Sequence, residues 1–141
     1  MGRAILAVVA GCVASVLVIF GMDAISHSVY PPPTGVDVRD RAGMRAVIQQ
    51  MPTGAFIIVV AGWIIGATLG AWVATRLSRG RAWAGVVVGG VTFVATAINL
   101  FTIPHPVWVI LAAVIGIPLA TWVGTRAAQT SPPPATAARA A

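Results

Sequence analysis

Four stretches of the chain are apolar almost without interruption: Ala4 to Ile25, Gly54 to Thr75, Ala82 to Ile103 and Val107 to Thr125. Each is about 19–22 residues long, the length an α-helix needs to cross a hydrocarbon core. Asp23, near the end of the first, is the sole charge inside them. Pro and Arg stand where the runs stop: Pro31-Pro32-Pro33, Pro52, the stretch from Arg76 to Arg81, and Pro104-His105-Pro106. Backbone in lipid must satisfy its own hydrogen bonds, so the pattern predicts an all-α, four-helix transmembrane bundle.

A shorter period appears between the first two runs. Met44, Val47, Ile48 and Met51 recur at i, i+3, i+4 and i+7, with Arg41 and Arg45 one turn apart beside them and Asp40 placed to cap the start. This predicts an amphipathic helix of about three turns, ended by Pro52, in the first outer loop. Its expected place is the membrane surface, with the apolar edge in the headgroup layer and both Arg reaching phosphates; docking a partner is the alternative use. Residues 127–141 have no apolar period and hold Pro132-Pro133-Pro134 among Ala, Thr and Ser, which predicts a disordered cytoplasmic tail behind a single membrane domain of residues 1–126.

Composition points the same way. With 58% hydrophobic and 9% charged residues, the charges are too few to coat a water-facing surface. All nine basic residues are Arg, the acids are Asp23, Asp37 and Asp40, and the formal charge is +6. In a soluble protein that balance points to nucleic acid; here the Arg stand at the ends of apolar runs, where they orient helices, and no nucleic-acid partner is expected. Arg3, Arg76, Arg79, Arg81, Arg126 and Arg139 fall on one side, and Arg39, Arg41 and Arg45 on the other with the three Asp. Positive loops stay inside, which predicts cytoplasmic termini and a cytoplasmic Arg76–Arg81 loop. Val9-Ala10-Gly11-Cys12 looks like a lipoprotein cleavage box. The apolar region before it is short, and cleavage would strand Val13 to Ile25, so an uncleaved span is expected. As the single cysteine, Cys12 excludes an internal disulfide and a Cys-based zinc site.

The chain also repeats itself. Residues 64–76 and 114–126 align without gaps with seven identities in thirteen, including Gly66/Gly116, Trp72/Trp122, Thr75/Thr125 and Arg76/Arg126. The first and third runs align more weakly, matching Arg3/Arg81, Gly11/Gly89 and His27/His105. The reading is two parallel helical hairpins, related by an axis along the membrane normal. Small residues at every fourth position let helices touch in lipid: Gly62, Gly66 and Gly70 on the second run, Gly85 and Gly89 on the third, Gly116 and Gly124 on the fourth. Such faces predict a tight bundle or a homo-oligomer.

Candidate chemistry gathers at the outer ends. Asp23 and His27 are one turn apart, and Asn99 and His105 lie at the same depth. His27 and His105 each follow a matching Arg by 24 residues, about 36 Å of helix. The four would make an outward-facing polar cluster; the alternative is four separate interfacial residues, hydrated or capping helix ends. Two His and one Asp are the minimum for a metal, and no metal or cofactor is expected. There is no nucleophile elbow, phosphate loop or HExxH motif.

Ser26-His27-Ser28-Val29-Tyr30-Pro31-Pro32-Pro33, Pro52-Thr53-Gly54-Ala55, and Asn99-Leu100 with Ile103-Pro104-His105-Pro106-Val107-Trp108 resemble a group of uncharacterised, small, four-span bacterial inner-membrane proteins. The resemblance covers residues 3–126 and is specific at Tyr-Pro-Pro-Pro and Ile-Pro-His-Pro-x-Trp. Relatives often have Glu where this chain has Asp23. It implies an inner-membrane location and carries no activity. The expectation is therefore a non-enzymatic structural or interaction protein whose partners are the lipid bilayer and a second copy or another membrane protein. A small transporter or channel with an outward polar site is the alternative, and a membrane metal protein or enzyme comes third.

Overall fold

The computed structural model describes residues 2–31 and 41–130, with backbone alone at Arg41 and Ala42. Five helices follow one another: α1 (Gly2–Val29), α2 (Arg41–Gln50), α3 (Thr53–Leu77), α4 (Ala82–Thr102) and α5 (Val107–Thr130). No strand occurs among the described residues. α1, α3, α4 and α5 are long and apolar enough to cross a membrane, and the chain is a multi-pass, all-α membrane bundle. Asp40, the side chain of Arg41 and residues 131–141 lie outside the described residues.

α3 is the centre of the bundle. It packs against α1, α4 and α5; α4 also touches α1 and α5, whereas α1 and α5 do not meet. The larger core cluster joins α3 to α5 through residues such as Phe56, Trp63, Ala67, Val109 and Ile117. A smaller one, Ala74, Ala84 and Val88, joins α3 to α4. Outward faces carry Leu6, Leu17, Phe20, Ile98 and Leu111, large apolar side chains for which lipid is the natural solvent.

Backbones approach closely in the cytoplasmic-predicted half. A methyl carbon added at Gly70 would stand 2.8 Å from the Gly11 carbonyl oxygen, and one at Gly11 would stand 2.6 Å from that of Gly70. Gly62 faces Met22, Gly66 faces Ile19 and Ser15, and Gly116 faces Ile64. Gly85 of α4 receives the hydroxyls of both Thr75 and Thr125, Gly89 receives Thr121, and Gly124 lies on the Thr68 carbonyl. Without a hydrophobic drive between helices in lipid, this close van der Waals contact holds them together.

The α3–α4 turn shows why α3 stops. Gly80 N–H donates to the Thr75 carbonyl (2.8 Å) and Arg79 N–H to that of Arg76 (3.2 Å), a Schellman closure that needs left-handed backbone at Arg79 (φ 62°) and Gly80 (φ 77°). Both ends of the bundle's chain tie into this turn: Arg3 Nε donates to the Leu77 carbonyl (3.3 Å), and Gln129 Nε2 to that of Gly80 (3.1 Å).

Two expectations change in detail. Residues 127–130, expected to open the tail, form the last helical turn of α5, with Ala128 buried; Ala and Gln favour helix, and the Gln129 contact anchors them. The apolar edge of α2, expected in the headgroup layer, packs partly on the bundle: Val47 is buried, and Ile48 and Met51 rest against the α3–α5 core. Met51 and Pro52 alone separate α2 from α3, so α2 has no slack to lie farther out.

Candidate functional site

The three stretches that carry the resemblance meet at one end of the bundle. Buried Ser26 donates its hydroxyl to the Ala55 carbonyl (3.3 Å), fixing the end of α1 to the start of α3. The Tyr30 hydroxyl lies against Gly54, where any side chain would displace it. His105 of the α4–α5 connection and Trp108 of the first turn of α5 set their rings edge-on to Phe56, each with centroids 6.3 Å away. All three therefore converge on the first turn of α3.

Asp23, His27, Asn99 and His105 have different surroundings. His27 is exposed on the last turn of α1, and its Nδ1 donates to the backbone carbonyl of Asp23 (2.7 Å). His105 donates Nδ1 to the Ile103 carbonyl (2.8 Å) and sits half-buried between Phe56 and Trp63, 6.0 Å from the latter ring. It lines a cleft of about 370 Å³ beneath α2, together with Arg45, Gln49 and Met51. Asp23 and Asn99 line a second cleft, of about 230 Å³, between α1 and α4. The structure thus brings Asp23 and Asn99 to one cleft, sets His105 in the other, and leaves His27 in neither. Among the described residues no group of three His, Cys, Asp or Glu is placed to hold a metal.

The α1–α4 cleft reaches inward past Thr96 to a pair of hydroxyls. Thr92 donates to the Val88 carbonyl (3.0 Å), so Ser15 is the donor in the 3.2 Å contact between the two side chains. Trp63 of α3 lines the cleft and also touches His105, so it stands between the two. Sequence reasoning singled out Asn99 but missed Trp63 and Ser15 as parts of the same site. A Trp in an apolar run reads as part of an interfacial aromatic belt, and a Ser at small-residue spacing reads as packing.

At the opposite end the repeated segments make repeated contacts. Arg76 lies over the Trp72 ring at 6.0 Å, and Arg126 over Trp122 at 5.9 Å. The hydroxyls of Thr75 and Thr125 are buried without a hydrogen-bond partner among the described residues where they meet at Gly85.

No protein-family model, curated protein or solved structure matches the chain. The class of the protein, a multi-pass helical membrane bundle, rests on its own four spans.

Proposed function

We propose that this is a non-enzymatic structural or interaction protein of the bacterial inner membrane, built from two duplicated hairpins closed by glycine zippers. Its termini and α3–α4 turn are cytoplasmic, its partners are lipid and a second copy or another membrane protein, and α2 rides on the outer surface. One observation carries the reading: Gly11 and Gly70 pack backbone to backbone across α1 and α3. That closure leaves large apolar outward faces as the surfaces with which the protein meets its neighbours. The matched Trp–Arg pairs support the duplication, and the Arg distribution supports the orientation.

Reporter fusions after Arg79 and Thr130 are expected to read cytoplasm, and one at Gly35 the outside; an outside signal at Arg79 overturns the orientation. Photo-crosslinkers at exposed Leu6, Leu17 and Leu111 in native membranes are expected to trap a second copy or one defined partner. A chain that yields no adduct and carries solute across reconstituted vesicles overturns the interaction reading.

A second reading, a small transporter or channel with an outward-facing site, is favoured by the α1–α4 cleft, in which Asp23 and Asn99 lead down to Thr96 and the Ser15–Thr92 pair.

A further inference from the structure

The α1–α4 cleft has a composition that packing alone does not explain. Its lips are apolar and exposed, with Val16 and Phe20 on α1 and Val91 on α4. Polar groups line it as well, Thr96 and Trp63 deep in the cleft and Asp23 and exposed Asn99 at its mouth. Thr96 and Trp63 are each 5% exposed and line the cleft, yet neither the Thr96 hydroxyl nor the Trp63 indole N–H has a hydrogen bond among the described residues. The Asp23 carboxylate and the Asn99 amide likewise make no side-chain hydrogen bond there. Asp23 has no Arg within ion-pair distance among the described residues; the basic group that acts on it is exposed His27, one turn on, whose Nδ1 donates to the Asp23 carbonyl. A carboxylate, an amide, a hydroxyl and an indole line one apolar trough, none of them with a side-chain hydrogen bond among the described residues, and a ligand that brings a positive charge and donors would engage them together.

We propose that this cleft binds a small amphiphilic monocation, a primary ammonium with a compact apolar body, which enters between α1 and α4. The ammonium sits between Asp23 and Asn99, where its three N–H donors meet the carboxylate and the amide oxygen. Thr96 supplies a further acceptor, and the Trp63 ring offers its face to the cation. The apolar body lies against Val16, Phe20 and Val91. At about 230 Å³ the space is below that usual for drug-sized ligands, ~300–1,000 Å³, which sets the size of the body at a single ring or a short chain. Asp23 thus stands at the mouth as an attractor, and the satisfied Ser15–Thr92 pair closes the inner end. The site deepens the second reading of the function, and its test reads binding rather than transport.

The full chain, purified in detergent, is dialysed to equilibrium against radiolabelled 2-phenylethylammonium, with neutral 3-phenylpropan-1-ol as competitor. Saturable binding of one cation per chain is expected, with weak competition by the alcohol. Asp23→Asn is expected to weaken it about tenfold or more, Asp23→Glu to keep it within about threefold, and Thr96→Val to cost about threefold. Arg126→Gln, over the Trp122 ring at the opposite end of the bundle, is expected to leave it unchanged. Equal binding by Asp23→Asn, or equal competition by the alcohol, overturns the proposal, since either reduces the uptake to apolar partitioning. Should Asp23→Asn fail to fold, Ala95→Phe, an exposed position on the lip, fills the cleft; undiminished binding by that variant overturns the proposal as well. Binding without transport in vesicles sinks the second reading and leaves this one standing. Transport with unaltered rates in Asp23→Asn and no saturable binding does the reverse.

Discussion

Gly66 and Gly116 occupy the same place in the two similar segments of the chain, but they face different neighbours. Gly66 of α3 turns to α1, where an added methyl carbon would stand 2.8 Å from the Ile19 side chain and 3.0 Å from the Ser15 carbonyl oxygen. Gly116 of α5 turns to α3 and would meet only the Ile64 side chain, at 3.1 Å. The first hairpin is therefore closed on itself, while the second lays its glycine face on the first. The unequal contacts follow: α3 touches α4, whereas their counterparts α5 and α1 do not meet. A shared small-residue face specifies that a helix packs closely, and does not specify with which one.

The largest expected effect comes where backbone meets backbone. Gly70→Ala drives a methyl carbon at the Gly11 carbonyl oxygen and the Ser15 side chain, and is expected to cost about 2–3 kcal/mol in unfolding from mixed micelles. Gly124→Ala, against the Thr68 carbonyl, is expected to match it. Gly116→Ala is expected to cost less than about 0.5 kcal/mol, because the end of Ile64 can turn aside and Ala is the better helix former. Equal losses at 70 and 116 would erase the distinction between the two faces.

The second hairpin has its own closure, of side chain on backbone. Thr121 rests on Gly89, so Gly89→Ala is expected to cost about 1–2 kcal/mol, and Thr121→Ala in the same chain, which removes the two nearest atoms but keeps the Cβ, is expected to restore part of it. Additive losses would show that α4 and α5 are not held together at that point. The α1–α4 contact is weaker. Ser15→Ala removes the donor to Thr92, and is expected to cost about 0.6 kcal/mol, the usual worth of an interhelical hydrogen bond in a membrane protein.

This contrast also marks what could be read from the chain beforehand. Span number, span position and the short amphipathic helix α2 were legible, because length and the Pro and Arg boundaries set them without reference to neighbours. Rotation was not. The spanning helices are apolar nearly all round, so hydrophobic period does not choose the buried face. His27 stays in a regular helical turn and points outward, while His105 follows Pro104 after the end of α4 and folds back between Phe56 and Trp63. For the same reason Asp23 and Asn99 share a cleft that their depth alone did not assign, and Trp63 joins it from a helix whose sequence shows no polar stripe.

What the repeated segments do share is local. Trp and Arg are four residues apart in both, so each pair sits on one helical face whatever the helix packs against, and the ring-to-guanidinium distances, 6.0 Å and 5.9 Å, agree. Single substitutions would not compare them fairly, since Trp72 is 37% exposed and Trp122 57%, and truncating the more buried ring loses more packing. A double-mutant cycle cancels that difference. Cycles with Trp72→Leu and Arg76→Gln, and with Trp122→Leu and Arg126→Gln, are expected to give coupling energies of about 0.5–1 kcal/mol each, equal within error. A coupling present in one segment and absent in the other would mean that even this contact depends on the neighbouring helix. Equal couplings, beside unequal glycine effects at 70 and 116, would separate what the similar segments share, contacts within a helix, from what differs between them, contacts between helices.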